Sequence, residues 1–387
     1  MKKLLSLLLP VFIMALFLLG MGCSSSKKTQ AVDKSKTLAA MELANKYFME
    51  KWPDAGKEIY VPSKNRTWPS HIWTRAVYYE GLMALYSVDK KTEYYDYAVQ
   101  WGEKHNWGLR DNNIKTRNGD NQACGQTYID LYLIDKKEER IKDIKASIDL
   151  MVASEKIDDW NWVDAIQMAM PVFAKLGVLY SDTSYFKKMY EMYAFTKYKH
   201  GVNGLYNPAE KLWWRDKDFV PPYVEPNGQD CYWSRGNGWV FAALVRVLTE
   251  IPQNESHRKE YLQDFQDMAS ALVPIQRTDG FWNTSLHDST HFGGKETTGT
   301  SLFAYGMAWG IRNGYLDREK YLPIVTKAWN AMLKDAVHTN GFLGYVQGTG
   351  KEPKDSQPAG YDNVPDFEDF GLGCFLLAGS EVYKLGL

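Results

Sequence analysis

Helical periodicity of two alternating kinds is the feature that most constrains this chain. Segments such as KEERIKDIKASIDLMVA and HRKEYLQDFQDMASALVPIQ carry charge on one face and a single apolar stripe, the pattern of a helix lying on a surface. Segments such as NGWVFAALVRVL, TGTSLFAYGMAWGI and FGLGCFLLAGSEV are apolar or small all round, and a helix apolar on every side has to be buried. The pattern predicts twelve helices, over 36–50, 70–87, 92–105, 121–134, 137–153, 163–179, 183–199, 237–250, 257–276, 298–313, 318–336 and 369–384. The two kinds take turns along the chain, and no segment shows the period-two alternation of a strand. The expected fold is all-α: an (α/α)6 barrel of six inner and six outer helices. An open solenoid of stacked helix pairs would show repeats of regular length and similar sequence. The inner segments here begin at uneven intervals and do not resemble one another.

The N-terminus predicts a processing segment. Lys2 and Lys3 precede the apolar run LLSLLLPVFIMALFLLGMG, which ends at Cys23 and SSSKK. This layout reads as a secretory signal peptide over 1–22. Its LGMGC ending is similar to a bacterial lipobox, so Cys23 is the expected lipidation site. Residues 23–35 read as a flexible linker and 36–387 as the barrel domain. The expected location is the cell envelope, at the bacterial outer membrane. A net charge of −1 gives no electrostatic reason to bind nucleic acid, so the lipid is the only membrane contact expected. Cys124, Cys231 and Cys374 are too scattered for a metal site or a disulfide framework. Zinc, calcium, phosphate-loop, dinucleotide and nucleophile-elbow motifs are all missing, so no metal or cofactor is expected.

The 14 tryptophans and 25 tyrosines cluster beside Asp, Arg and Gly. The segments RTWPSHIW, RNGDNQ, DDWNWVD, DCYWSRGNGW, KETTGT and PDFEDFG all stand at the starts of inner helices. In an up-down ring those starts share one face. One pocket would then collect Trp68, Trp73, Asp120, Trp162, Asp164, Trp233, Arg235, Trp239 and Thr298. Indole faces stack on sugars, and helix N-termini favour anions, so the expected ligand is an acidic sugar.

Asp164 opens the apolar segment AIQMAMPVF after two tryptophans. A helix cap is one use for such an aspartate. Acid–base work is the other, since neighbouring indoles desolvate a carboxyl and favour its protonated form. Asp120 stands ahead of the preceding inner helix with the same two uses, and as a second carboxylate it would couple to the first. Gly236 and Gly238 allow a tight turn beside Arg235, which, flanked by the indoles of Trp233 and Trp239, is placed to bind a carboxylate in bidentate fashion. Thr298 offers a hydroxyl to a ligand.

WNWVDAIQMAMPVFAKLG, CYWSRGNGWVFAALVRVL, KETTGTSLFAYGMAWGIRNGYL and FEDFGLGCFLLAGSEVYKL together resemble the unsaturated glycuronyl hydrolases. The resemblance is nearest to the unsaturated rhamnogalacturonyl hydrolases of glycoside hydrolase family 105, with family 88 as a relative. It implies an (α/α)6 barrel without a metal, acting on oligosaccharides left by a polysaccharide lyase. Such enzymes hydrate the C4=C5 bond of a terminal 4-deoxy-hex-4-enuronosyl residue. Motif matching implies Asp164 as acid/base, Asp120 as its supporting aspartate, and Trp162, Trp233, Arg235 and Trp239 as substrate contacts; Met168, one helical turn beyond Asp164, falls on the same face and is expected to join them. Where many members carry a histidine, this chain reads GLYNPAEKLWWRDKDFVPP. Arg215 there is expected to meet an extra anion, such as a sulfate on the leaving sugar. Both ulvan-type and rhamnogalacturonan-type substrates fit. The alternatives are an (α/α)6 polysaccharide lyase and a non-catalytic glycan-binding lipoprotein.

Overall fold

A computed structural model describes residues 32–386; the signal segment and Cys23 lie outside the described residues. The helices in chain order are α1 (Lys34–Lys51), α2 (Trp73–Val88), α3 (Thr92–Lys104), α4 (Gly119–Gln122), α5 (Cys124–Ile134), α6 (Lys142–Val152), α7 (Asp164–Tyr180), α8 (Thr183–Tyr198), α9 (Ser234–Glu250), α10 (Arg258–Leu272), α11 (Thr297–Arg312), α12 (Arg318–Asp335) and α13 (Asp369–Leu385). Two small hairpins interrupt them: β1 (Ile59–Val61) with β2 (Arg66–Trp68), and β3 (Tyr206–Asn207) with β4 (Leu212–Trp213).

The inner ring runs α2, α5, α7, α9, α11, α13 and closes by packing α13 on α2. These helices are buried on nearly every face, as their all-round apolar sequences require. The outer helices bury one stripe each; α3, for example, buries Tyr94, Tyr97, Ala98, Trp101 and Gly102. The expected barrel of six inner and six outer helices is therefore present. The fourth expected helix is broken near Ala123 into a four-residue turn and α5.

Glycine sets the closest approaches in the ring. A Cβ on Gly373 of α13 would lie 2.2 Å from the Val77 carbonyl oxygen of α2, and one on Gly81 would lie 2.4 Å from the Gly373 oxygen. Gly238 works the same way between α9 and α11, where a Cβ would meet Leu302 at 2.8 Å. Gly236 and Gly238 therefore lie inside a helix, not in the tight turn their spacing suggests. Pro171 in α7 lacks an amide hydrogen and leaves the Gln167 carbonyl without its helical donor. Gln126 Nε2 fills that vacancy from α5, donating to the Gln167 oxygen at 2.8 Å.

Neighbouring inner helices touch start to start. Arg75 Nε of α2 donates to Asp369 of α13 at 3.0 Å, and Gly119 faces Ala165 while Gly299 faces Ser234. The six N-termini thus open on one mouth. The loops feeding that mouth are long, up to the 199–233 segment, whereas connectors at the far end are as short as residues 181–182. Among the described residues Cys124, Cys231 and Cys374 are buried and unpaired.

Candidate active site

Asp164 is the first residue of α7 and lies 8% exposed at the mouth. Its side chain makes no capping bond. Instead Arg215 Nε donates to Asp164 Oδ2 at 3.0 Å, and Arg215 Nη1 donates to Asp216 Oδ2 at 2.7 Å. The chain holds this triad in register by an antiparallel bridge between Trp162 and Asp216, and by the Val163 amide donating to the Arg215 carbonyl at 2.9 Å. Arg215 is thus compensated by two carboxylates. The expectation of an extra anion at Arg215 did not anticipate these two partners, since a pairing with Asp164 across 51 residues leaves no local trace in the chain.

Asp120 sits in the turn α4, and it too caps nothing. Asn118 is the cap, accepting from the Asp120 amide at 2.8 Å. Burial first, then the nearby charge of Asp164, pushes the Asp120 carboxyl up from 3.8 to about 7, with Arg215 and Arg110 pulling it down. At neutral pH the mouth therefore holds a protonatable carboxyl on α4 and an ion-paired one on α7. That combination can give a proton to a substrate and take one from water.

The remaining expected contacts divide into two sets. Trp68, Trp73 and Trp162 are partly exposed at the mouth. Trp162 lines a cavity of about 220 Å³ with Asn161, His200, Arg215 and Lys217. Met168, Trp233, Arg235, Trp239 and Thr298 are buried in the ring. Arg235, 1% exposed, donates from Nη1 to the Gln347 carbonyl at 2.7 Å and from Nη2 to the Gly348 carbonyl at 2.8 Å. Both terminal nitrogens thus anchor a loop, while its buried Nε has no acceptor among the described residues. Trp233 Nε1 donates to Gln347 Oε1 at 2.9 Å, which pins the same loop. Trp239 meets Trp73 edge-on at 6.3 Å between ring centroids. Thr298 is part of a helix cap: its amide and hydroxyl both donate to Glu296 Oε1, at 3.0 and 2.6 Å.

The burial of Arg235 has a local cause. Helix α9 begins at Ser234 and not at 237, so Arg235 joins a packed first turn. Its N-cap is Trp233, which makes no side-chain cap bond, and no cap residue in the sequence marked the true start. Sequence reasoning also passed over Asp216 and Arg110. The only available signals were their positions in the charged, non-periodic loop segments WWRDKD and GLRDNN.

An (α/α)6 barrel with a carboxylate pair and open indoles at one mouth is built as a glycan-processing enzyme. Within that class the chain belongs to Glycosyl Hydrolase Family 88, whose model matches residues 40–386, and it is a glycoside hydrolase. An unsaturated 3S-rhamnoglycuronyl hydrolase of Formosa agariphila is 34% identical over 333 residues, covering 81% of this chain and 84% of the relative. A solved family 88 glycosyl hydrolase from Bacteroides vulgatus matches with a TM-score of 0.82 at 31% identity, covering 92% of this chain and 100% of that one. A solved polysaccharide lyase matches with a TM-score of 0.81 at 30% identity, covering 91% and 97%.

Proposed function

We propose that this chain removes the non-reducing-end 4-deoxy-hex-4-enuronosyl residue from oligosaccharides released by a polysaccharide lyase. The observation that carries the reading is the carboxylate pair: Asp120 able to hold a proton near neutrality and Asp164 ion-paired beside it. The substrate's ring oxygen makes C4=C5 a vinyl ether. A proton delivered by the pair through Asp164 forms a C4–H bond with the alkene electrons and leaves an oxocarbenium centre at C5. Water adds to C5, and Asp164, anionic again, takes its proton. The resulting hemiketal opens, and the glycosidic bond then breaks. Asp120 keeps the proton within the pair between turnovers.

Between the two aglycones considered, the name of the Formosa relative, a 3S-rhamnoglycuronyl hydrolase, favours the ulvan type, unsaturated glucuronyl-rhamnose 3-sulfate. The LGMGC segment supports anchoring through a lipidated Cys23. A polysaccharide lyase also shares the fold, at 30% identity. The ultraviolet absorbance of the conjugated alkene separates the readings. A hydrolase removes it from unsaturated disaccharides, whereas a lyase raises it on intact polymer. Asp164→Asn should stop the loss in a folded protein; a folded, active Asp164→Asn variant would show the assignment to be wrong.

A further inference from the structure

The arginines near the mouth are not equivalent. Arg215 is held by Asp164 and Asp216, Arg235 by two carbonyls, and Arg75 by Asp369. Arg110 differs. Its guanidinium makes no hydrogen bond among the described residues, and its one carboxylate neighbour, Asp111, is 3.6 Å away and largely in solvent. It lies 5.1 Å from the Trp68 ring centroid, and Arg66 lies 4.0 Å from the same ring. Two buried donors here lack acceptors among the described residues, Arg110 Nε and Trp68 Nε1; Arg235 Nε and Arg75 Nη1 lack them too, but those two arginines are 1% exposed, whereas the Arg110 side chain remains 26% exposed. Its backbone setting is strained: Asn106, Trp107, Asp111 and Asn112 all have positive φ, between 49 and 60°. Strain of this kind in non-glycine residues concentrates at ligand clamps.

We propose that Arg110, stacked on Trp68 and backed by Arg66, receives the C6 carboxylate of the uronosyl residue and so selects acidic over neutral terminal sugars. The inference rests on the hydrolase reading for its substrate. Arg110 lies near enough to pull the Asp120 carboxyl down, so an anion seated on it shares the mouth with that group. A sulfate on the leaving sugar lies across the scissile bond from the C6 carboxylate and is not the group Arg110 meets. A carboxylate on Arg110 would also cancel the pull of that cation on Asp120, strengthening the proton's hold as substrate binds.

Binding can be read apart from turnover. A lyase-generated unsaturated disaccharide, sulfated or desulfated, is titrated calorimetrically into Asp164→Asn protein with and without Arg110→Gln. Loss of a charge-assisted contact should weaken both ligands roughly 10- to 100-fold, with Arg110→Lys falling between. In the otherwise native enzyme, Arg110→Gln should raise KM more than it lowers kcat. It should also move the alkaline fall of kcat/KM to higher pH, because Asp120 loses a cation. Unchanged binding, a loss confined to the sulfated ligand, or an Asp164→Asn protein that binds neither disaccharide would overturn the assignment. A native enzyme that binds both but hydrolyses neither would refute the hydrolase reading and leave the Arg110 result standing.

Discussion

Asn at position 120 should make the folded protein more stable in alkaline solution and no more stable in acid. The Asp120 carboxylate receives no hydrogen bond from a protein donor among the described residues, and burial beside Asp164 raises it from 3.8 to about 7. The unfolded chain releases this proton near pH 4, while the folded chain keeps it until about pH 7. Between those values the folded state binds more protons, so stability falls as pH rises through the window and is level above it. The gap corresponds to roughly 4 kcal/mol. Asp120 is only partly buried, and water at the mouth screens its charge, so about 2 kcal/mol is the expected share. An amide of the same shape carries no such cost. Asp120→Asn should therefore match the native protein near pH 4 and exceed it by about 2 kcal/mol above pH 8. A domain of this size unfolds with an entropy of roughly 0.7 kcal/mol per degree, so Tm should rise by about 3 °C. Differential scanning calorimetry at pH 4.5, 6 and 8 on both proteins reads the difference, and groups common to both cancel. The same variant should lose most of its hydrolase activity. An equal Tm at pH 8, or a difference that does not grow with pH, would refute the placement of a protonated carboxyl at Asp120.

Arg215→Gln leaves Asp164 and Asp216 facing each other without their cation. It should cost about 2–3 kcal/mol of stability, below the full cost of breaking a buried pair because the mouth admits water. It should lower kcat/KM at least about 100-fold, equally on sulfated and desulfated disaccharides; a loss confined to the sulfated one would return Arg215 to the substrate. Gly373→Ala drives a Cβ into the Val77 carbonyl across the seam that closes the ring. Since backbone must move, the cost should reach about 3 kcal/mol, a fall of about 4 °C in Tm, with KM for any surviving activity unchanged. Cys23→Ala should shift the protein from the membrane fraction of expressing cells to the soluble one; continued sedimentation with membranes would remove the lipid-anchor proposal.

The parts of the fold legible in sequence were those fixed by a repeated physical demand. A helix that must be buried on all sides says so at every residue, which is why α7, α9, α11 and α13 could be read within three residues of their ends. The shared mouth followed, since alternating directions put all inner N-termini together. What sequence could not divide was the contents of those N-terminal turns. Arginine, tryptophan and threonine are chosen there for packing between helices as well as for ligands. Arg235 and Trp233 hold the Gln347–Gly348 loop, more than a hundred residues away. Arg215 meets Asp164 across 51 residues. Partnerships of that span leave no local periodicity, so the assignment of each cation had to come from the assembled barrel.

A shifted carboxyl alone does not mark the site. Glu80 of α2 is also raised to about 7 by burial, yet its situation is the reverse of that of Asp120. It is 1% exposed, Gln167 Nε2 donates to its Oε2 at 2.9 Å, and Arg246 lies 3.7 Å from the same oxygen. The cavity it borders, about 340 Å³, is built from the C-terminal halves of the inner helices. Most other charges there are paired: Lys175 with Asp130 and Glu250, and Arg312 and Lys384 with Glu381, while Lys90 sits over the Tyr86 ring. Short connectors at that end leave little chain to shape a specific rim. At the other end the long loops bring Trp162, Arg215 and Arg110 around Asp120. Accessibility to a sugar, and cations whose pairing differs from one arginine to the next, separate a reactive carboxyl from a merely buried one in this barrel.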